Sequence, residues 1–200
     1  MPLKYGPLSN AVHICVDMQR LFVEATPWQA PWAERVLPMV ATLCEHQPDR
    51  LVFTRFVPMQ DSDSAPGTWQ RYYQRWPEMT LERLPPQLLD LAPPLDRFSP
   101  PALRFDKRVY SPWHDGTLAP YLTDRRVTTV VVSGLETEVC VLATVLGAID
   151  CGFRVVIAMD AVCSSADETH DSMSRIYESR FGMQVEATTT AEIIEAWRET

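Results

Sequence analysis

The chain has 200 residues, a formal net charge of −8, and 46% hydrophobic against 22% charged residues. Such proportions are ordinary for one globular domain spanning 1–200, and the acidic balance argues against nucleic acid or an anionic membrane as partner. No apolar run approaches the roughly eighteen residues that span a bilayer; MPLKYGPLSN has no apolar signal core; and five scattered cysteines without a CxxC pair favour a reducing cytoplasm over a disulfide framework or zinc site.

Asn10 to Val16 (NAVHICV) reads as a buried strand that delivers Asp17 at its carboxyl end. The following MQRLFVEATPW has no clear period and reads as a loop. From Trp32 to Glu45, Val36, Leu37, Val40, Leu43 and Cys44 fall at helical spacing, with Pro31 as a start signal. Leu51 to Val57 is a second strand, and Pro58 to Gly67 a polar, turn-forming loop. Trp69, Tyr72, Tyr73 and Trp76 share one face of a short helix, either packed or subunit-facing, or lining a substrate pocket. Pro85 to Pro101 is a proline-broken connection with room for one short helix at Gln87 to Leu91. Leu103 to Asp106 is a third strand ending at Lys107, and SPWHDGTLAPYLT becomes a short helix.

The β-branched run Val130, Val131, Val132, bounded by Gly134, suits a strand buried on both faces. Beyond it the period changes: Val141, Val145 and Ile149 mark a helix with Thr137 as N-cap and Cys140 in the first turn, where the dipole favours thiolate. Phe153 to Met159 is a fifth strand closed by Asp160. Asp167 to Phe181 is a helix carrying Met173, Ile176 and Tyr177 inward, with Gly182 as its stop. Met183 to Glu186 and Thr190 to Arg198 supply the last strand and helix. The alternation predicts a three-layer α/β/α, Rossmann-like fold on a six-stranded, mostly parallel sheet, with sites outside the carboxyl ends of the strands.

Asp17, Lys107 and Cys140 all fall at or just past predicted strand ends, and that convergence raises a chemical reading above the alternatives of a surface ion pair and a small buried cysteine. A thiol beside a carboxylate and a lysine is a hydrolytic set: Asp17 acts as base and then acid, Lys107 holds the carboxylate ionised, and the backbone N–H groups of Glu136 and Cys140 meet an oxyanion. GxSxG, GxGxxG, GxxxxGK[ST] and HExxH are absent. His13 lies within a strand and reads as structural, whereas His114 in SPWHDG stands near the rim. Gln19, Phe22, Trp69, Tyr72, Trp76, Trp113 and His114 are the candidate pocket residues; no cofactor is called for.

These residues resemble the isochorismatase-like cysteine hydrolases, a superfamily that includes nicotinamidase and N-carbamoylsarcosine amidase. VDMQRLF, DKRVYSPW and SGLETEVCVLATV match its first-strand, lysine and nucleophile segments in order and spacing across the whole chain. The resemblance implies an Asp17–Lys107–Cys140 triad, a cis peptide between Leu135 and Glu136, and a homo-oligomer, dimer or tetramer. Departures narrow it. Phe56 and Pro58 stand where metal-dependent nicotinamidases need ligands, which implies a metal-independent enzyme, and Arg20 and Leu21 replace the Asn and Asp common after the Gln. The expectation is a cysteine amidohydrolase cleaving a small amide, ureide or imide. The alternatives are an isochorismatase-type vinyl-ether hydrolase, or a catalytically idle member that binds a small ligand or serves in an assembly.

Overall fold

In the computed structural model, which describes residues 3–197, six strands form one sheet. They are β1 (Ala11–Val16), β2 (Leu51–Phe56), β3 (Leu103–Lys107), β4 (Thr129–Leu135), β5 (Arg154–Cys163) and β6 (Val185–Thr188). Their order is β3-β2-β1-β4-β5-β6, and every neighbouring pair is parallel. The sheet is therefore wholly rather than mostly parallel. Chain direction across it reverses between β1 and β4, the switch point at which such sheets open a crevice.

Among the described residues there are seven α-helices: α1 (Arg20–Val23), α2 (Ala33–His46), α3 (Thr68–Arg75), α4 (Leu118–Asp124), α5 (Cys140–Asp150), α6 (Asp167–Ser179) and α7 (Thr190–Ala196). The valine run of β4 shows why two faces are needed. Val131 points to one side and packs with Val40 and Leu43 of α2 and Ile193 of α7. Val130 and Val132 point to the other side, against Leu122 of α4, Val141 and Val145 of α5, and Met173 and Tyr177 of α6. Each such buried aliphatic side chain contributes roughly 1.5–3 kcal/mol of transfer free energy. A third cluster, with Leu21, Trp28, Phe56 and Tyr73, lies beneath the connections that follow β1 and β2. Among the described residues no helix is long and apolar enough to cross a membrane.

Several local expectations change. The stretch after β1 is not all loop: Leu21 and Val23 are buried through the single turn of α1. The short helix expected at Gln87 to Leu91 is a 3-10 turn, Pro86–Leu89, as the leading prolines dictate. Asp160 does not close β5, which runs on to Cys163. The register against β4 jumps from Val132 opposite Ile157 to Gly134 opposite Val162, and in that irregularity Asp160 accepts hydrogen bonds from the Thr190 N–H (2.7 Å) and Oγ1 (2.9 Å). Ile176 is 41% exposed rather than inward, because Met173 and Tyr177, one helical turn apart, already occupy the buried face of α6. Arg198, the expected end of the last helix, lies outside the described residues.

Gly134 fixes how closely β1 and β4 approach. It sits at φ +111°, opposite Val16, and a Cβ there would lie 2.1 Å from the Val16 carbonyl oxygen. Neither the dihedral nor the gap admits a side chain. Gly134→Ala is expected to cost about 3–5 kcal/mol, read as a lowered midpoint in urea denaturation. An unchanged midpoint would show that β1 can move away from β4 without penalty.

Candidate active site

Each site residue is placed by the end of a strand. β1 stops at Val16, and Asp17 takes a positive φ of 51°, a conformation that aspartate tolerates better than most residues. Its N–H is held by the Thr54 carbonyl oxygen at 3.2 Å, and Thr54 Oγ1 donates to Asp17 Oδ1 at 2.7 Å. Lys107 ends β3, two strands away, and its ammonium reaches across the sheet end. It donates to Asp17 Oδ2 at 2.6 Å, to the Val109 carbonyl oxygen at 3.3 Å and to Cys140 Sγ at 3.3 Å. All three donors of the ammonium are thereby engaged. Asp17 is fully buried and Lys107 is 7% exposed. A buried pair of this kind holds only when its remaining hydrogen-bonding positions are filled, as they are here by Thr54 and Val109.

Cys140 is the first residue of α5, as its place in the sequence suggested, but the helix is not capped by Thr137. The N-cap position belongs to Val139, without a side-chain cap. Thr137 Oγ1 instead pairs with His170 Nδ1 at 2.8 Å, while the Thr137 carbonyl accepts from the Tyr177 hydroxyl at 2.9 Å. Both partners come from α6, far along the chain. The Leu135–Glu136 peptide is cis. The Glu136 carbonyl takes hydrogen bonds from Val139 and Val141. Among the described residues, the N–H groups of Glu136 and Cys140 meet no acceptor within the protein.

The electrostatics correct the sequence reading on one point. Helix position alone favoured a thiolate. Burial, reinforced by the negative charge of the nearby Asp17 carboxylate, pushes the Cys140 thiol well above its ordinary range despite the opposing pull of Lys107. For Lys107, burial disfavours the charge, but the Asp17 carboxylate and Cys140 outweigh it and lift the ammonium further. The thiol therefore rests neutral beside a charged ammonium.

In front of the sulfur lies a cavity of about 240 Å³, walled by Phe22, Trp28, Phe56, Tyr72 and Tyr110, with Leu135, Glu136 and Val139 beside Cys140. Two of the sequence candidates, Phe22 and Tyr72, are in this wall. Trp69 and His114 instead line an adjoining outer cavity of about 550 Å³ that shares Tyr72 and Tyr110. Gln19 does not face the cavity. It is fully buried, and its amide clamps Phe56 through the N–H (2.7 Å) and carbonyl (3.1 Å) while also reaching the Leu89 carbonyl at 3.0 Å. Trp113 packs on the outer side of α5, filling the notch left by Gly147 and donating Nε1 to the Thr144 carbonyl at 2.9 Å. Trp76 is half-buried beside the Arg75 guanidinium, outside both walls. Trp28, Phe56 and Tyr110 were missed; Phe56 ends β2 while the other two come from separate connections, and only their shared aromatic character could have flagged them.

The family model of the isochorismatase domain matches residues 11–192. The chain belongs to the isochorismatase family. No curated protein matches it. Among solved structures it is similar to a cysteine hydrolase from Pseudomonas syringae pv. phaseolicola 1448A, with 24% identity over 98% of this chain and 97% of that one and a TM-score of 0.76. It is also similar to N-carbamoylsarcosine amidase from Thermoplasma acidophilum (19%, 92% and 98%, TM-score 0.73). A third is the pyrazinamidase of Pyrococcus horikoshii in complex with zinc (23%, 90% and 99%, TM-score 0.71). The family is one of hydrolases acting on small molecules, and the neighbours share its fold. The end of β2 and the residues just beyond it do not suit a metal ion, since Phe56 and Pro58 carry no side-chain donor atoms. Among the described residues no group of three His, Cys, Asp or Glu side chains could hold one.

A neutral resting thiol has a direct consequence. With its pKa raised, Cys140 carries less thiolate at pH 7 than an ordinary cysteine, and alkylation accelerates only as pH rises beyond the usual thiol range. Iodoacetamide at pH 7 is expected to modify the exposed Cys151 before Cys140, as resolved by peptide mass mapping. Faster labelling of Cys140 would mean that Lys107 outweighs burial and Asp17.

Proposed function

We propose that this hydrolase cleaves the C–N bond of a small amide, ureide or imide through a thioester on Cys140, without a metal ion. The observation that carries the reading is the position of Lys107 Nζ, 2.6 Å from Asp17 Oδ2 and at the same time 3.3 Å from Cys140 Sγ. One ammonium ties base and nucleophile into a single buried unit. As Sγ attacks the carbonyl carbon, its proton passes to the Asp17 carboxylate. The carbonyl oxygen becomes an oxyanion facing the N–H groups of Glu136 and Cys140, whose lack of any other acceptor supports that role. When the tetrahedral adduct collapses, Asp17 returns the proton to the departing nitrogen and the acyl group stays on sulfur. Water then attacks the thioester, giving its proton to Asp17, and the acid leaves as Cys140 regains its hydrogen. Lys107 remains protonated throughout and compensates the charge that moves between sulfur, oxygen and carboxylate.

A cavity of about 240 Å³ is smaller than pockets for drug-sized ligands, which supports a compact substrate. Cys140→Ala is expected to lower ammonia release from an accepted amide by about 10³-fold or more, and Asp17→Asn by about 10²–10⁴-fold. Ammonia release undiminished in Cys140→Ala would end the nucleophile assignment. Pyruvate release from isochorismate, with no amide turned over, would move the reaction to vinyl-ether cleavage.

A further inference from the structure

The aromatic cavity carries more information than its size. Five rings, of Phe22, Trp28, Phe56, Tyr72 and Tyr110, share its wall with Glu136, and no Arg, Lys or His side chain lines it. The nearest cation, Lys107, has every N–H committed to Asp17, Val109 and Cys140. Charge around the chamber is therefore one ammonium against two carboxylates, Asp17 and Glu136. Glu136 is fixed rather than loose: one of its oxygens accepts the Ser165 N–H at 3.0 Å. The Tyr72 hydroxyl is pushed up by burial and then by Tyr110 and Tyr73, and that of Tyr110 by burial and then by Cys140; Glu136 adds a smaller push in the same direction to both. Ring faces attract cations through their quadrupoles, and the attraction grows when water is excluded.

We propose that this cavity is a cation-selective subsite, taking amides whose acyl portion carries a quaternary or protonated alkylammonium group. The inference rests on the hydrolase reading for the amide but on the wall residues alone for the charge. The acyl portion is the part that must stay beside Cys140 while the nitrogen departs, and the larger outer cavity, sharing Tyr72 and Tyr110, offers the departing amine a route. An anionic acyl group would face the Glu136 carboxylate and the electron-rich faces of the rings, both of which repel it.

Three small amides that differ in charge at one end test this: betaine amide (trimethylammonium), its isostere 3,3-dimethylbutanamide (neutral) and malonamate (carboxylate). Calorimetric titration into Cys140→Ala protein measures recognition without turnover. Betaine amide is expected to bind about tenfold more tightly than the neutral isostere, and malonamate not detectably. Adding Glu136→Gln should lower the cation-to-neutral ratio by roughly threefold, and Tyr72→Leu should lower it while sparing the neutral ligand. Equal affinity for cation and isostere, tightest binding of malonamate, or no binding of betaine amide would overturn the inference. If Glu136→Gln fails to fold, the ratio in Cys140→Ala protein decides alone. Failure here leaves the hydrolase reading standing, because that reading is judged by ammonia release from amides of any charge by the protein with Cys140 intact.

Discussion

An ion pair between Asp17 and Lys107, with side chains 0% and 5% exposed, is the constraint around which the carboxyl end of the sheet is arranged. Removing both charges from water costs several kcal/mol per ion unless the remaining hydrogen-bonding positions are filled. Filling them dictates the neighbourhood. Thr54 must stand beside Asp17, so β2 must lie next to β1 in its observed register, with Thr54 opposite Val16. Lys107 must end β3 opposite Phe56, so that its ammonium crosses the end of β2 and lies 5.2 Å from the Phe56 ring centroid. Gln19 in turn clamps Phe56 by its backbone. Sheet register, ion pair and cavity wall are thus one connected arrangement, and a slip of one residue in any of the three strands would turn its side chain to the opposite face.

The same pair explains why a cysteine at a helix N-terminus can remain a thiol. Helix dipole and ammonium both favour sulfur as an anion, whereas burial and the adjacent carboxylate disfavour it, and the second pair of effects prevails. In the proposed reaction this division is useful. Asp17 stays a competent base because the proton it must take is still on sulfur, and nucleophilic character develops only as the carbonyl carbon arrives. A permanent thiolate would leave the carboxylate with nothing to accept and would face oxidants between turnovers.

Much of this was legible in the sequence because it depends on short-range pattern. The valine run of β4 needs two covered faces wherever it is found, and strand-end positions for Asp17 and Lys107 follow from where each apolar run stops. Other features depend on partners that periodicity cannot bring near. Thr137 reads as an N-cap until His170 and Tyr177, from a helix more than thirty residues on, take up its hydroxyl and carbonyl. Trp113 reads as a pocket aromatic until the missing side chain of Gly147 gives it a slot on the far side of α5. Phe56 drew notice for the metal ligand it is not, and its position as a cavity wall emerged only with the sheet.

A division of labour runs along the chain. The groups assigned to bond making, Asp17, Lys107 and Cys140, are held at strand ends or on the helix that follows one, where register fixes them to within a fraction of an ångström. The groups that would select the substrate come largely from the segments between strands: Phe22 from α1, Trp28 from the turn beyond it, Tyr72 from α3 and Tyr110 from the loop after β3. Such segments tolerate change because no ladder of hydrogen bonds passes through them. The aromatic wall can therefore be rebuilt while the ion pair stays as it is, and in the proposed reading the charge of the wall, rather than the identity of the nucleophile, would set which substrate is accepted.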